Sequence, residues 1–435
     1  MTFENTKQFA LTLDNDDLLA PLRDQFYIPI VNGKDSIYFV GNSLGLQPKA
    51  TQEYVLDELE KWASFGVEGH FHGKNSWVKY HEMFPPILSK ILGCEEHEVV
   101  VMNQLTVNIH LLFATFYRPT KQRFKIICEA KAFPSDQYAI KSQIELAGLN
   151  VADTLVEVAP REGEHCIRME DIETTINEHS DSLALVFLGG VNYYTGQVFD
   201  MEAITKAAQK AGAYCGFDLA HAVGNVRLEL HNWKVDFATW CSYKYLNSSP
   251  GGVSGIYINE KHARNTDLPR MAGWWGQEKE TRFLMEPNFK PIPTAEGWQL
   301  SNTPILCMAA HKAALDLFDS VGMELIVAKG NLLQEFLCFI IDDINQKQGK
   351  KLIDIITPRE KGRHGCQVSM LMLQNGKKIF DELTKQGVMA DWREPDVVRV
   401  APVAMYNSFM DIFEFGRILE QIIKEQVDKL DEMNC

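Results

Sequence analysis

Between about residues 95 and 258 the chain alternates two hydrophobic patterns. Short apolar runs (HEVVVM, FKIICEA, LALVFLGG, AYCGF and FATWCSY) have the length and composition of buried strands. Val99 to Met102 reads as a strand, followed by a tight turn and a helix from about Thr106. MEAITKAAQKAGA is amphipathic at helical spacing and closes on Gly212, a residue suited to a helix C-cap. Strands alternating with helices predict an α/β fold with a mostly parallel, doubly wound sheet.

The flanks follow other patterns. Residues 1–46 read as an arm, with a short acidic helix from Asp14 to Asp24 and a loop held by Gly41 and Gly45. A helix follows, with Val55, Leu59 and Trp62 at helical spacing. From residue 270 the chain is loop-rich. One helix then starts near Pro304 and a second runs from about Met323 to Gln346. QVSMLML and DVVRVAPV read as strands, and KKIFDELTKQG and DIFEFGRILEQIIKEQVDKL as helices. The expected organisation is an arm over 1–46 associated with the smaller domain, a large domain over 47–303, and a smaller α+β domain over 304–435.

Composition narrows the partners. The 435 residues are 46% hydrophobic and 23% charged, which is ordinary for a globular chain. A formal net charge of -15 argues against nucleic acid and anionic membrane as main partners. No apolar run approaches the roughly 20 residues that span a bilayer. The polar, acidic start shows no signal-peptide pattern, and the nine cysteines include no CxxC pair. The expectation is a cytoplasmic protein with reduced thiols.

The stretch from Asp218 to Lys244 concentrates the candidate chemistry. A carboxylate closes one predicted strand and a lysine follows the next, and parallel sheets gather ligands at such carboxyl ends. Pyridoxal phosphate needs an amine for its Schiff base and an anion to keep its ring nitrogen protonated, so the pair suits that cofactor. The same residues also admit a surface lysine and a helix-capping aspartate. Leu105 and Thr106 sit at a helix start whose free amides suit a phosphate. The run Phe133, Pro134, Ser135, Asp136 puts an aromatic at a strand end before a proline turn, as a plate over a flat heterocycle would be. Tyr193 and Tyr194 follow the glycine turn at Gly189. Trp274, Ser301 and Asn302 lie in irregular segments, where binding residues collect. His70 and His72 have no neighbouring ligands to complete a metal site, so no metal is expected. Arg399, in an extended run, is either a surface residue or a guanidinium placed to grip a carboxylate.

Taken together, the motifs YFVGNSLGLQP, FPSDQYA, GGVNYYTGQ, FDLAHAVGN, CSYKYLN, GWWG, QLSNTP and RVAPVAMYNSF resemble the kynureninase family over nearly the whole chain. That family consists of fold-type I pyridoxal-phosphate enzymes. The resemblance implies Lys244 as the Schiff-base lysine, Asp218 as partner of the ring nitrogen and Phe133 as the stacking aromatic. Leu105, Thr106, Pro134, Ser135, Asp136, Gly189, His221, Tyr243, Trp274 and Asn302 fall at its other cofactor positions. Arg399 matches the residue that holds the substrate α-carboxylate, with His70, Ser43, Tyr194, Ser301 and Asn302 as further substrate contacts. The family often has a serine where this chain has Gly189, so one hydroxyl contact is missing or replaced by water. The implied assembly is a homodimer with the site between subunits. The implied reaction is hydrolysis of the Cβ–Cγ bond of L-kynurenine or 3-hydroxy-L-kynurenine to the corresponding anthranilate and L-alanine, in tryptophan catabolism and de novo NAD synthesis. His70 and Asn302 imply a preference for the 3-hydroxy substrate. Tyr243 is either a proton-transfer partner or a phosphate-positioning residue. A cysteine desulfurase is the nearest rival, with Cys366 as its only plausible thiol, and a non-catalytic binding module is the other.

Overall fold

A computed structural model describes residues 2–433. Its centre is a seven-stranded sheet with strands in the order Val99–Val101, Gly255–Ile258, Phe237–Trp240, Tyr214–Asp218, Leu183–Gly189, Lys125–Glu129 and Leu155–Val158. Gly255–Ile258 runs antiparallel to both of its neighbours, and the other strands share one direction. Alternate residues on these strands enter two separate cores. Val99, Ile127, Val186, Leu188 and Trp240 face one side, and Val100, Ile126, Cys128, Leu185 and Phe187 face the other. Burial on both faces is why these strands read as continuous apolar runs rather than as alternating ones.

A third core lies under a four-stranded antiparallel sheet made of Ile353–Ile355, Val368–Met372, Val397–Val400 and Asp391–Arg393. The helices Met323–Lys347 and Phe409–Met433 cover it. The N-terminal segment is bound into this unit: Ala10, Leu13 and Phe39 are buried there, and Ile37–Tyr38 pairs in parallel with Val388–Met389. The helix Ile305–Val321 instead packs Met308, Leu315 and Phe318 into the core under the large sheet.

Two local expectations differ from the structure. The acidic helix expected from Asp14 to Asp24 is instead a helix over Lys7–Asn15 followed by a 3₁₀ turn over Ala20–Gln25. Thr6 caps the first by accepting a hydrogen bond from the Phe9 N–H. Asp14 turns away to cap the last helix, accepting from the N–H groups of Phe409 at 2.7 Å and Met410 at 3.0 Å. Asp17 pairs with the buried Lys329 at 2.6 Å. Long-range demand for these carboxylates therefore overrides the local helical pattern. In the helix Thr51–Phe65, only Val55 of the three apolar positions Val55, Leu59 and Trp62 joins the core; Leu56 and Trp62 are exposed.

Close strand packing makes one glycine sensitive. Gly255 lies opposite Trp240, and a Cβ at 255 would meet the indole at 2.2 Å. Gly255→Ala is expected to lower unfolding stability by about 1–3 kcal/mol, because an overpacked core must shift. The midpoint of chemical denaturation measures the loss.

Candidate active site

The cavity sits where the parallel strands end. Glu129, Gly189 and Asp218 are the last residues of three adjacent strands. Tyr243 and Lys244 follow the fourth, Phe237–Trp240, and the helix Leu105–Phe116 follows Val99–Val101. These residues, with Thr106, Phe133, Ser135, Asp136 and His221, line a cavity of about 480 Å³. Ten of the residues named from the sequence thus converge: Leu105, Thr106, Phe133, Ser135, Asp136, Gly189, Asp218, His221, Tyr243 and Lys244.

The turn carrying Lys244 is fixed by the loop Gly41–Gly45. The Gly45 N–H donates to the Tyr243 carbonyl at 2.8 Å, and Asn247 donates to the Leu46 carbonyl at 2.9 Å. A Cβ at Gly45 would lie 2.3 Å from the Lys244 carbonyl, so only glycine permits this approach. The Lys244 ammonium then rests 3.0 Å from His221 Nε2 and 5.7 Å from the centroid of the Phe133 ring.

Charge in this cavity is unbalanced. Glu129, Asp136 and Asp218 are all buried around one lysine. Burial raises the pKa of Asp218, and the Lys244 charge and the Ala220 N–H, 2.8 Å from Oδ1, oppose that rise. Asp136 is raised well above the usual range, first by burial and then by Asp218 and Glu129. Glu129 is pushed up to about 7 by burial, although both its oxygens accept from the Gly189 N–H at 3.1 and 3.2 Å. His221 is held well below its usual value by burial and by the Lys244 charge, so it stays neutral. Burial also raises Tyr243 and keeps its phenol protonated.

The donor set fits pyridoxal phosphate. Asp136 Oδ1 and His221 Nδ1 are buried with no hydrogen-bond partner. A cationic ring nitrogen beside Asp218 would supply positive charge to a cavity lined by three buried carboxyls. The helix Leu105–Phe116 has no side-chain cap, which leaves its first N–H groups free for a phosphate. Thr106 and Ser135 place their hydroxyls 2.6 Å apart beside that helix start.

The remaining residues named from the sequence lie elsewhere. Pro134 is the first residue of the helix Pro134–Leu146 and does not line the cavity. Arg399 is 1% exposed and is bonded to Asp391 and to the Tyr193 carbonyl. Ser43 donates to Asp391 at 2.8 Å. Tyr194 accepts at its carbonyl from Ser369, while its neighbour Tyr193 lines the cavity edge-on to Phe133, with ring centroids 5.3 Å apart. Trp274, Ser301 and Asn302 are exposed, and none lines the cavity of this chain. His70 stacks edge-on to Trp77 with its Nδ1 3.0 Å from the Val67 carbonyl. The sequence motifs assign no role to Glu129, Tyr193 or Asp391. Glu129 carries the same signal as Asp218, a carboxylate closing an apolar strand, whereas nothing along the chain couples Asp391 to Arg399.

Comparison with known proteins gives consistent matches. A family model described as the kynureninase C-terminal domain matches residues 326–419, and the DegT/DnrJ/EryC1/StrS aminotransferase family model matches residues 91–234. Kynureninase of Flavobacterium psychrophilum is 53% identical, covering 98% of this chain and 100% of the relative. Kynureninase of Christiangramia forsetii is 52% identical over 97% of this chain and 99% of the relative. That of Mus musculus is 45% identical over 96% of this chain and 93% of the relative. Among solved structures, the apo cysteine desulfurase of Thermococcus onnurineus superposes with a TM-score of 0.74 at 18% identity, covering 90% of this chain and 95% of that one. The cystine C–S lyase C-DES gives 0.73 at 15% identity, covering 88% and 97%. The likeness to these two structures is one of fold.

The raised Glu129 carboxyl has a measurable sign. Its folded-state pKa of about 7 exceeds the usual 4.5, so the folded state binds the proton more tightly. Its contribution is present below about 4.5 and is lost as pH rises to about 7. In the cofactor-free protein, Glu129→Gln is therefore expected to flatten the fall in stability across this window by about 3 kcal/mol. Denaturation midpoints measured across that pH range for the two proteins check it.

Proposed function

The chain belongs to the kynureninase family, and from that membership we propose that the Lys244–Asp218 cavity is where it hydrolyses the Cβ–Cγ bond of kynurenines. The enzyme is a pyridoxal-phosphate-dependent hydrolase of a carbon–carbon bond. The products are L-alanine and anthranilate, or its 3-hydroxy form. The observation that carries the reading is the placing of amine, acid and aromatic plate in one cavity: Lys244 Nζ below Phe133, with Asp218 on the adjoining strand end.

Pyridoxal phosphate bound there draws electrons from the substrate α-carbon. Asp218 would hold the ring-nitrogen proton, and the unpartnered Asp136 Oδ1 and His221 Nδ1 would offer it further polar contacts. Lys244 would hold the cofactor through its amine, and that amine is the base placed to take a proton from the substrate α-carbon. His221, neutral and 3.0 Å from Nζ, accepts a hydrogen bond from it without adding charge. The free amides at Leu105 and Thr106 and the Ser135 hydroxyl would receive the phosphate. Tyr243 keeps its proton at neutral pH and donates it late in the reaction. Arg399 grips the substrate α-carboxylate.

The remaining residues come from a second copy of the chain. Trp274, Ser301, Asn302 and His70 do not line the cavity of their own chain. Trp274 stacks edge-on to the exposed Phe283, which also packs on Phe71 close to His70. Exposed Trp62, Phe65, Val67, Leu284 and Met285 add apolar surface of the kind that a permanent homodimer buries. Across that interface His70 and Asn302 would meet the substrate's aryl ring. Their hydrogen-bonding groups favour a 3-hydroxy substituent over bare kynurenine. The same reading divides the chain into an arm, a large cofactor domain and a C-terminal domain, and assigns it to cytoplasmic tryptophan catabolism feeding NAD synthesis. No helix among the described residues is long and apolar enough to cross a membrane.

Incubation with both kynurenines, following aromatic amine release, tests the activity and the preference. kcat/KM is expected to favour 3-hydroxykynurenine by about tenfold or more, and Asn302→Leu to cut that ratio severalfold. Equal kcat/KM for both substrates contradicts the preference, and absence of aromatic amine contradicts the function. Lys244→Ala protein, inactive alone, is expected to restore part of the native 3-hydroxykynurenine preference when refolded with Asn302→Leu protein. Half of the random dimers are then mixed, with one intact site of two. No recovery contradicts the shared site.

A further inference from the structure

We propose that Asp391 is a positioning residue for the substrate α-carboxylate, fixing the Arg399 guanidinium and setting the charge it presents. The proposal rests on the reading of Arg399 given above and names the group through which that arginine works.

Asp391 and Arg399 face each other across two antiparallel strands, Asp391–Arg393 and Val397–Val400. Three donors converge on one oxygen, Asp391 Oδ2: the Ser43 hydroxyl at 2.8 Å, Arg393 Nη2 at 3.1 Å, and Arg399 Nη2. Arg399 Nη1 donates to the Tyr193 carbonyl. One end of the guanidinium is thus held by a carboxylate and the other by a backbone carbonyl. A guanidinium has five N–H donors, and these two bonds leave three. Arg399 Nε is buried and has no partner, as is Arg393 Nε. Arg399 therefore keeps donors for a second carboxylate while its plane is already fixed.

The charge agrees with this assignment. Two guanidinium groups face one carboxylate, which leaves a positive excess that one incoming carboxylate balances. The cluster also lies next to the cofactor cavity. Tyr193 packs on Phe133, the Arg399 guanidinium lies 5.9 Å from the Tyr193 ring centroid, and both arginines act electrostatically on the buried His221. Without Asp391 the buried Arg399 loses its counter-ion and repels Arg393, so its fixed orientation is lost. Ser43 bonds to the same oxygen and contributes by holding Asp391.

Calorimetric titration of the holoenzyme with L-alanine and with L-alaninamide, which lacks the carboxylate, tests the assignment. Asp391→Asn is expected to weaken L-alanine binding by about tenfold and to leave L-alaninamide within about twofold. For the full substrate, KM rises with kcat changed by less than about threefold. Ser43→Ala retains the charge and is expected to shift L-alanine in the same direction by about two- to threefold, which keeps the test alive if Asp391→Asn does not fold. Unchanged L-alanine binding, or equal loss for both ligands, overturns the role of Asp391. Arg399→Lys separates the two levels of the argument: if it abolishes discrimination between the ligands while Asp391→Asn does not weaken it, only the positioning role falls. If Arg399→Lys leaves discrimination intact, the reading of Arg399 as the carboxylate grip falls with it.

Discussion

The burial of one ammonium among three carboxyls, at the ends of parallel strands, is the constraint on which the rest of this structure depends. Lys244 shares its cavity with Glu129, Asp136 and Asp218, and the nearby imidazole of His221 is kept neutral. Burying unmatched charge is costly, so the carboxyls are driven toward their protonated forms. On the proposed reading, the cationic ring of pyridoxal phosphate would reverse that cost beside Asp218. The same electrostatics would then make the cofactor a stronger electron acceptor.

The fold supplies this arrangement by ordinary means. Continuous apolar strands demand cover on both faces, and the helices that provide it leave the strand ends as the place where polar groups gather. Close backbone approach at Gly45 locks the Lys244 turn against the N-terminal segment. That segment is in turn packed into the C-terminal unit, which carries Arg399. The Lys244 cavity and the buried Arg399 therefore belong to different cores yet meet through Tyr193, whose ring lines the cavity and whose carbonyl accepts from Arg399.

Much of this was legible along the chain because the governing interactions are local in sequence. Strand, Asp218, small residues, strand, Lys244 is a pattern that a parallel sheet turns directly into proximity. The uncapped helix start at Leu105 and the aromatic at Phe133 follow from the same strand-end logic. Other features were hidden because they depend on distant partners. Asp14 left its expected helix to cap Phe409–Met433, and no periodicity in the first twenty residues announces a partner nearly 400 positions away. Asp391 meets Arg399 only through strand register. Glu129 was overlooked although its signal matched that of Asp218, since a carboxylate ending a strand is informative only when its neighbours in the sheet are known. The exposed Leu59 and Trp62 keep helical spacing, but spacing does not say whether a helix face meets its own core or another chain.

The central claim is that the carboxylate of Asp218 selects the cofactor through its ring nitrogen. The most direct measurement compares binding of pyridoxal phosphate and of its 1-deaza analogue, with CH in place of the ring nitrogen, to the cofactor-free protein and to Asp218→Asn. The account predicts that the native protein binds pyridoxal phosphate about tenfold or more tightly than the analogue, and that Asp218→Asn binds the two alike. An Asp218→Asn protein that keeps the full preference would contradict it.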